Sequence, residues 1–388
     1  MFSKASVSEL FLVSTLFSVA IIHGHPLEPC SGLRGNEVSD EPGFNLQLSY
    51  DTLAYVTKMS LGTPPQPFSF DVSSRTQEFW VRSSNCSEYC EREPKYNASQ
   101  STTYKQDGRR VAATWQNVQG ELNGYLSTDT VTIGTGRLEN VLFGEITNVF
   151  GSFYEHTNIS GTLGLGFKPN PPFGFFLDDL LRFTCIHKVA GFYLKRIELS
   201  DEMKHVEDAG HVTLGSKVGD RSLYDGNIHW VKGKERRDGD QLVPIRSITA
   251  GGKISLCRDG CQATIDTTAI MMALPGTDSF ELNEALGFTP WLGSGFMTEC
   301  SRMDSLPDVT FDVDGLKVSI PPSDYLVQLP NEYDDEEKVC VSKFFAVEGE
   351  TTVVLGRPFL YNAYTLFDYD QKKIGFAPFK PEANDSAE

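Results

Sequence analysis

Short apolar runs alternate with turn residues along most of the chain. From Leu46 onward, runs of roughly 4–8 residues are separated by turn signals, as in TDTVTIGTG and VTFDVDG. Tight turns at Asp314-Gly315 and at Gly134-Thr135-Gly136 suit β-hairpins. Helical periodicity is confined to short stretches near 172–183 and 279–287. The pattern therefore predicts an all-β protein with few helices.

A weak internal repeat divides this pattern into two halves. One apolar strand leads into Asp71, within FSFDVSS, and another leads into Asp266, within ATIDTTA. Each is followed by a hydrophobic-glycine element, TLGLGF at 162–167 and VLGRPF at 354–359, and the aspartate-to-glycine offsets of 93 and 90 residues nearly match. These elements predict a duplicated lobe, with chance similarity of short apolar motifs as the alternative.

Length and charge bound the size and the partners of the protein. The 388 residues, 40% of them hydrophobic, are enough for a large core and about two domains. The net charge of -18 would repel nucleic acid, so we expect no nucleic-acid partner. Acidic residues 331–337 and basic residues 232–237 are expected to form solvated loops.

The N-terminus has the pattern of a secretory signal peptide. Lys4 precedes an apolar run from Leu10 to Ile22 that is too short to span a bilayer, and Gly24 suits cleavage. No later segment is long and apolar enough for a membrane span, so we expect a secreted, soluble mature protein. The expected boundaries are a signal peptide at 1–24, a flexible leader or short propeptide at 25–45, an N-terminal lobe at 46–200, a C-terminal lobe at 201–380 and a polar tail at 381–388.

Cysteines and glycosylation sequons agree with an oxidising compartment. Three pairs of the eight cysteines are close in sequence, which leaves Cys30 and Cys185 without an assigned partner. The three pairs are Cys86 with Cys90, Cys257 with Cys261, and Cys300 with Cys340. Sequons that predict N-glycosylation begin at Asn85, Asn97, Asn158 and Asn384.

Metal and cofactor motifs are not found in the sequence. The seven histidines are scattered without an HExxH pair, and the cysteines form no paired CxxC pattern. The chain contains no G-x-S-x-G elbow and no phosphate-binding loop. We therefore expect neither a metal nor an organic cofactor.

Several motifs, in order, resemble the pepsin-like aspartic peptidase family (A1 type). The resemblance spans roughly Leu46 to Pro378, and CRDGCQATIDT is its most specific part. The other matching segments are SLGTPPQPFSFD, FWVRSSNC, GTLGLGF, SLPDVTFDVDG, IPPSDYLVQ and VVLGRPFLYNAYTLFDYDQKKIGFAP.

This resemblance implies two β-rich lobes separated by a cleft that holds an extended peptide. Each lobe would contribute one aspartate, and the motifs assign these positions to Asp71 and Asp266. Two adjacent carboxylates share one proton, so that the ionised one activates water and the neutral one donates to the peptide carbonyl. In the family, an Asp-Thr-Gly loop in each lobe holds its aspartate, and each threonine hydroxyl bonds to the opposite loop.

The first loop departs from that pattern. Val72 follows Asp71 and has no hydroxyl, so we expect one half of the cross-loop grip to be lost. Ser73 would stand in place of glycine and force a shift if a glycine-type backbone is required, while Ser74 still offers a hydroxyl near Asp71. The stretch from Asp71 to Trp80 is also about two residues longer than is usual for the family.

The second loop and the flap also differ from the family. Thr267 keeps its half of the grip, but Thr268 replaces the glycine, and Ala269 lacks a hydroxyl that usually supports the aspartate. The position of the flap tyrosine falls on Asn117, with Trp115 nearby as a possible cover for the cleft. Trp80 keeps its family place beside the flap, and Arg357 follows Leu355-Gly356 where many relatives have aspartate.

Two functions are compatible with these departures. The first is a secreted, catalytically silent or weak homologue whose cleft binds a peptide, a protein or another ligand, or whose surface binds a protein. The second is an active acid endopeptidase that uses Asp71, Asp266 and an activated water. A purely structural role, in which the aspartates only cap turns, is a third reading. We expect a monomer that is extracellular or in the lumen of the secretory or endolysosomal pathway.

Overall fold

The computed structural model describes residues 44–380 apart from short gaps. These gaps are 52, 88–89, 91–93, 116–119, 151–156, 170, 184–186, 198–204, 217, 253, 292–294, 332–333 and 347–351. The expected signal peptide, most of the leader and the polar tail lie outside the described residues, as do Cys30, Cys185, Asn117 and Asn384.

Strands dominate the described chain, as the alternating pattern predicts. The N-terminal strands are β1 (Phe44–Asp51), β2 (Ala54–Leu61), β3 (Gln66–Ser73), β4 (Phe79–Arg82), β5 (Lys105–Trp115), β6 (Gly120–Ile133), β7 (Gly136–Phe150), β8 (Gly161–Gly164), β9 (Val189–Leu194) and β10 (Val206–Leu214). The next are β11 (His229–Lys232), β12 (Lys234–Glu235), β13 (Gln241–Ala250), β14 (Ile254–Leu256), β15 (Cys261–Ile265), β16 (Met272–Leu274), β17 (Thr289–Trp291) and β18 (Gly295–Glu299). The last are β19 (Val309–Val313), β20 (Leu316–Ile320), β21 (Leu326–Asn331), β22 (Asp334–Ser342), β23 (Phe344–Ala346), β24 (Val353–Leu355), β25 (Ala363–Asp368) and β26 (Lys373–Pro378).

Helices are few and short. They are α1 (Phe176–Phe183), α2 (Gly276–Ala285), α3 (Pro322–Tyr325) and α4 (Arg357–Leu360), with 3₁₀ turns at Ala98–Gln100 and Cys300–Ser305. The first two confirm the helical signals near 172–183 and 279–287. None of the helices in the described residues has the length and apolarity needed to cross a bilayer.

The strands form large sheets in two lobes. A thirteen-stranded sheet has the order β11-β26-β25-β9-β10-β1-β2-β3-β8-β4-β7-β6-β5. A nine-stranded sheet has the order β20-β19-β13-β15-β24-β16-β23, with β12 and β14 also paired to β13, and a four-stranded sheet has the order β17-β18-β22-β21. This architecture confirms the all-β, bilobal fold. The lobe boundary near residue 200 stays a prediction.

The internal repeat is present as a duplicated pairing pattern. In the first copy, β3 pairs parallel with β8, β8 pairs antiparallel with β4, and β4 pairs parallel with β7. In the second copy, β15 pairs parallel with β24, β24 pairs antiparallel with β16, and β16 pairs parallel with β23. The same three pairings in the same order support duplication over chance similarity.

The turns also agree with the sequence pattern. Asp314 and Gly315 join β19 to β20 with φ angles of 48° and 103°, in the left-handed region that hairpin turns require. Two loop expectations were wrong. The basic segment 232–237 includes the end of β11 and all of β12, and the acidic residues from Asp334 to Glu337 do not form a simple loop. These acidic residues belong to the hairpin formed by β21 (Leu326–Asn331) and β22 (Asp334–Ser342).

Candidate active site

The first loop begins at the end of β3, which lies between β2 and β8. Side chains alternate along the strand, so Asp71 and Ser73 lie on one face and Val72 lies on the other. Val72 is buried in the main hydrophobic core. Asp71 pairs with Thr162 of β8, and Ser73 pairs with Gly164. The strand therefore brings both Asp71 and Ser73 toward the second loop.

The second loop begins where β15 ends at Ile265. The Asp266 N–H donates to the Leu355 carbonyl at 3.0 Å, which extends the parallel pairing with β24 by one residue. Thr267 is buried, while Asp266 has a side chain that is 14% exposed. The sheet thus fixes the backbone of Asp266 and leaves its carboxylate accessible.

Four hydrogen bonds join the two loops in a reciprocal arrangement. Thr267 Oγ1 donates to the Val72 carbonyl at 2.9 Å and accepts from the Ser74 N–H at 3.0 Å. Ser74 Oγ donates to the Ile265 carbonyl at 3.0 Å and accepts from the Thr267 N–H at 3.0 Å. The hydroxyl of each residue therefore accepts from the N–H of the other residue. It also donates to the carbonyl two positions before the other residue, which is Val72 for Thr267 and Ile265 for Ser74.

This symmetry makes Ser74 the counterpart of Thr267, and so makes Ser73 the counterpart of Asp266. The sequence-based expectation had put Asp71 in that position, two residues earlier. The close approaches of two glycines support the structural correspondence. A Cβ at Gly164 would meet Thr76 and Glu78, three and five residues after Ser73. A Cβ at Gly356 would meet Ala269 and Met271, three and five residues after Asp266.

The expected loss of one half of the cross-loop grip was wrong. Val72 does lack a hydroxyl, but Ser74 supplies the missing one and completes both halves. The loops also do not require glycine at Ser73 or Thr268, because neither residue has a positive φ angle. Thr268 and Ser73 are therefore accommodated without backbone strain.

The carboxylate of Asp266 is held on both oxygens. Oδ1 accepts from the Thr268 N–H at 2.9 Å, from Thr268 Oγ1 at 2.7 Å and from the Ala269 N–H at 3.2 Å. The Thr268 hydroxyl thus provides a donor to this aspartate although Ala269 has none. Oδ2 lies 3.6 Å from Nε of Arg75, which occupies the position after Ser74. The charged group that faces Asp266 from the first loop is thus the cation Arg75.

Asp71, near the end of β3, is buried. The residue is only 3% exposed to solvent. Burial, together with the negative charge of Asp266, raises the pKa of Asp71 to about 7, although the Arg357 guanidinium and the Val72 N–H act to lower it. Asp71 therefore changes its protonation state near neutral pH.

Arg357 is a second cation close to the loops. It is 2% exposed, and its Nε donates to the Thr267 carbonyl at 3.1 Å. Nη2 donates to the Leu53 carbonyl at 2.8 Å, and the guanidinium lies 4.9 Å from the ring centroid of Tyr55. In the sequence, Arg357 is recognisable only as a departure from the family, and these contacts are visible only in the structure.

The strands β5 and β6 form the hairpin that corresponds to the expected flap. Trp115 ends β5 and pairs with Gly120 of β6, and Asn117 lies in the gap between them, outside the described residues. Trp80 is fully buried against this hairpin, in a cluster with Val111 and Leu122. Trp80 thus packs against the β5–β6 hairpin, and the flap and cleft roles of Trp80, Trp115 and Asn117 stay predictions.

The three expected disulfides are formed. They join Cys86 to Cys90, Cys257 to Cys261, and Cys300 to Cys340. In the described part of the chain, one group of potential metal ligands combines Cys257 and Cys261 with Asp278. Since these two sulfurs are bonded to each other, they supply no thiolate for a metal.

Three of the four sequons lie in the described residues. Asn85 and Asn158 are exposed. The Asn97 side chain caps a 3₁₀ turn by accepting from the Ser99 N–H at 3.1 Å. Glycosylation at these asparagines stays a prediction.

The family assignment rests on a match over most of the chain. The family described as eukaryotic aspartyl protease matches residues 54–379. The chain belongs to the eukaryotic aspartyl protease family. It is 29% identical over 351 residues to cathepsin D of Gallus gallus, covering 87% of this chain and 83% of that protein.

Two other relatives of the aspartyl protease family show a similar degree of likeness. The chain is 30% identical over 355 residues to cathepsin E of Aquarana catesbeiana, covering 88% of this chain and 82% of that protein. It is 29% identical over 352 residues to pepsin A of Bos taurus, covering 88% of this chain and 87% of that protein. The resemblance to pepsin-like peptidases is therefore confirmed.

Sequence reasoning missed Arg75 and the counterpart position of Ser73. One signal pointed to them, namely the spacing from Asp71 to Trp80, which is about two residues longer than usual for an aspartyl protease. Moving the reference from Asp71 to Ser73 removes this excess. It also changes the two aspartate-to-glycine offsets from 93 and 90 residues to 91 and 90.

Proposed function

We propose that this aspartyl protease homologue binds a peptide or protein segment in its cleft without cleaving it. The observation that carries the proposal is the reciprocal hydrogen bonding of Ser74 and Thr267, which makes Ser73 the counterpart of Asp266. The position opposite Asp266 then has a hydroxyl in place of a carboxylate.

The chemistry of the family explains why this replacement matters. Hydrolysis needs one carboxylate as a base for water and a second carboxyl group that donates a proton to the substrate carbonyl. A serine hydroxyl does neither at acidic pH. Arg75 also lies beside Oδ2 of Asp266, where it competes with water for that oxygen. A centre with Ser73, Arg75 and Asp266 lacks the shared proton on which the reaction depends.

The binding part of the proposal rests on what the loops retain. Both halves of the grip are made, the β5–β6 hairpin is present, and Trp80 packs beneath it. These are the features that shape a cleft for an extended chain. We further propose that the protein is secreted as a glycoprotein, on the basis of the signal-peptide pattern, the sequons and the three disulfides.

Cleavage assays on matched variants test the proposal. The purified mature protein would be incubated with acid-denatured protein substrate from pH 3 to 6, beside Ser73→Asp/Arg75→Gly and the same double variant with Asp266→Asn. We expect no cleavage by the wild type, pepstatin-sensitive cleavage by the double variant, and its loss in the triple variant. Retained pepstatin or peptide binding by the wild type would support a binding cleft, and loss of both kinds of binding would direct attention to the outer surface.

An active acid endopeptidase remains the second candidate, favoured by one observation. The negative charge of Asp266 contributes to the raised pKa of Asp71, as expected for two nearby acids. Burial is the larger cause, however, and Asp71 is hardly exposed. Pepstatin-sensitive cleavage by the wild type that disappears in both Asp71→Asn and Asp266→Asn would favour this candidate over the silent homologue.

A further inference from the structure

The turn between β12 and β13 is a compact, charged unit formed by residues 236–240. The Arg236 N–H donates to the Asp240 carbonyl at 2.8 Å, and the Gly239 N–H donates to the Arg236 carbonyl at 2.9 Å. The Arg236 guanidinium donates to both carboxylate oxygens of Asp238, from Nε at 2.8 Å and from Nη2 at 2.7 Å. Two parallel hydrogen bonds of this kind fix both the position and the orientation of a carboxylate. The turn therefore holds Asp238 in one place.

This turn lies against a segment that belongs to the other large sheet. The turn leads into β13 of the nine-stranded sheet, whereas Lys168 and Pro169 follow β8 of the thirteen-stranded sheet. Asp238 Oδ2 lies 3.3 Å from Lys168 Nζ. Gly239 has a φ angle of 89°, and a Cβ at this position would come within 2.6 Å of Pro169 Cδ. The two sheets therefore meet here through an ion pair and a close contact that a larger residue would disturb.

Each side of this contact continues toward one of the cleft loops. The Lys168 carbonyl accepts from the Gln77 N–H at 3.1 Å, and Gln77 follows the first loop. On the other side, Asp240 Oδ2 accepts from Thr264 Oγ1 at 2.9 Å, and Thr264 lies two residues before Asp266. None of these hydrogen bonds involves the grip between the loops. The contact is thus a second connection between the segments that carry the loops, in addition to the grip.

The second connection differs from the grip in its response to salt. Lys168 and Asp238 have side chains that are 38% and 33% exposed, so dissolved ions screen their attraction. The grip consists of hydrogen bonds between uncharged, buried groups, on which salt has little effect. The hydrogen bonds from Arg236 lower the pKa of Asp238, so this carboxylate stays ionised at acidic pH as well. High ionic strength therefore weakens one connection between the lobes and leaves the other in place.

We infer that Lys168, Arg236 and Asp238 form an ionic strap that limits how far the two lobes separate, and that high ionic strength releases it. Parts of one chain that are joined by a modest interface are expected to move relative to each other. Release of the strap should widen the cleft and increase its access to ligands. The strap contains no residue of the cleft loops and forms without a bound peptide, so the inference goes beyond the proposed function.

Distance measurements between the lobes test the strap. Nitroxide labels would be attached to cysteines introduced as Arg110→Cys on β5 and Lys317→Cys on β20, which are exposed positions on the terminal strands of the two large sheets. Pulsed electron paramagnetic resonance would give the distance distribution at about 0.01 M and about 1 M salt, over which the Debye length falls from roughly 30 Å to 3 Å. We expect the distribution to broaden or shift at high salt. In Lys168→Gln, we expect the same broadening or shift already at low salt.

The matched control for these measurements is Arg246→Gln. Arg246 pairs with Asp314 at 2.7 Å on the surface of the nine-stranded sheet, so its loss removes an exposed ion pair that does not connect the two large sheets. This variant should behave as the wild type at both salt concentrations. A distribution that Lys168→Gln leaves unchanged at low salt, or a salt response that persists in Lys168→Gln, would overturn the inference.

A double-mutant cycle tests the ion pair itself without labels. The unfolding equilibrium constant would be measured for the wild type, Lys168→Gln, Asp238→Asn and the double variant at the same two salt concentrations. We expect a coupling of about twofold to fivefold at low salt and none at high salt. Equal coupling at both concentrations, or no coupling at low salt, would contradict the strap. Both measurements are made without peptide, so their outcome is independent of whether the cleft binds or cleaves one.

Discussion

Ser74 and Thr267 each accept a hydrogen bond from the backbone N–H of the other, at 3.0 Å in both directions. Their hydroxyls also donate to carbonyls on the opposite loop. Both residues are about 2% exposed, so no water replaces a lost partner at this site without rearrangement.

Removal of the Ser74 hydroxyl should therefore destabilise the fold. Ser74→Ala leaves the Thr267 N–H and the Ile265 carbonyl without partners in a buried site, which we expect to cost about 1–3 kcal/mol. Chemical denaturation would measure the change in the free energy of unfolding. Ser73→Ala is the control and should cost less, because Ser73 Oγ accepts from the neighbouring Arg75 N–H at 3.2 Å, a contact within its own loop. Equal costs for the two variants would contradict the assigned role of Ser74.

The pH dependence of stability should change on substitution of Asp71. The folded-state pKa of about 7 lies above the ordinary value of 3.8, so the native state binds a proton that the unfolded state has released. The contribution of Asp71 is thus fully present below about pH 4 and is lost as the pH rises toward 7. Three pKa units correspond to at most about 4 kcal/mol.

Asp71→Asn should remove this slope, with the largest relative gain in stability above pH 7. Denaturation of the wild type and the variant from pH 4 to pH 8 would give the difference directly. A difference that stays constant over this range would show that Asp71 does not titrate there.

The two arginines near the loops should differ in their effect on stability. Arg75 has a side chain that is 33% exposed and lies 3.6 Å from Asp266, so Arg75→Gln should cost less than about 1 kcal/mol. Arg357 is buried with two hydrogen bonds to carbonyls, so Arg357→Gln should cost about 3 kcal/mol or more. Thermal or chemical unfolding of both variants at low and high salt tests this, and only the Arg75 effect should weaken with salt.

The disulfides should differ in their contribution to the free energy of unfolding because they close loops of different length. Cys300 and Cys340 are 40 residues apart, and Cys257 and Cys261 are four apart. Loop-closure entropy predicts about 4 kcal/mol for the long loop and about 2 kcal/mol for the short one. Double Cys→Ser variants of each pair, compared by denaturation, would check the order. A larger loss from the short loop would show that native-state contacts outweigh chain entropy.

Much of the fold could be predicted from the sequence because its signals are local. Alternating apolar runs, the turn at Asp314-Gly315 and the repeated strand-plus-glycine elements each depend on neighbouring residues. The disulfides Cys86–Cys90 and Cys257–Cys261, each between cysteines four residues apart, could be predicted for the same reason. The acidic segment near 331–337 was misjudged because its charge suggested a loop, whereas pairing within a hairpin determines its structure.

The correspondence between the two loops could not be predicted in the same way. Asp71 is the nearest acidic residue to the family motif, and an assignment by residue type selects it. The position of Ser73 follows from hydrogen bonds between residues almost 200 positions apart, which a linear motif does not contain. Likewise, the sequence shows that Arg75 is present but not that it lies beside Asp266.

The hydrogen bonds that join the two loops use different groups from those that carry out the acid–base chemistry of the family. Its four hydrogen bonds use the side chains of Ser74 and Thr267 and the main chain around them, and none uses an acidic side chain. Residues 73 and 75 can therefore change without loosening the junction between the lobes. Substitutions at these two positions should therefore alter the charge and hydrogen-bonding capacity of the cleft floor while the seam between the loops keeps its four hydrogen bonds.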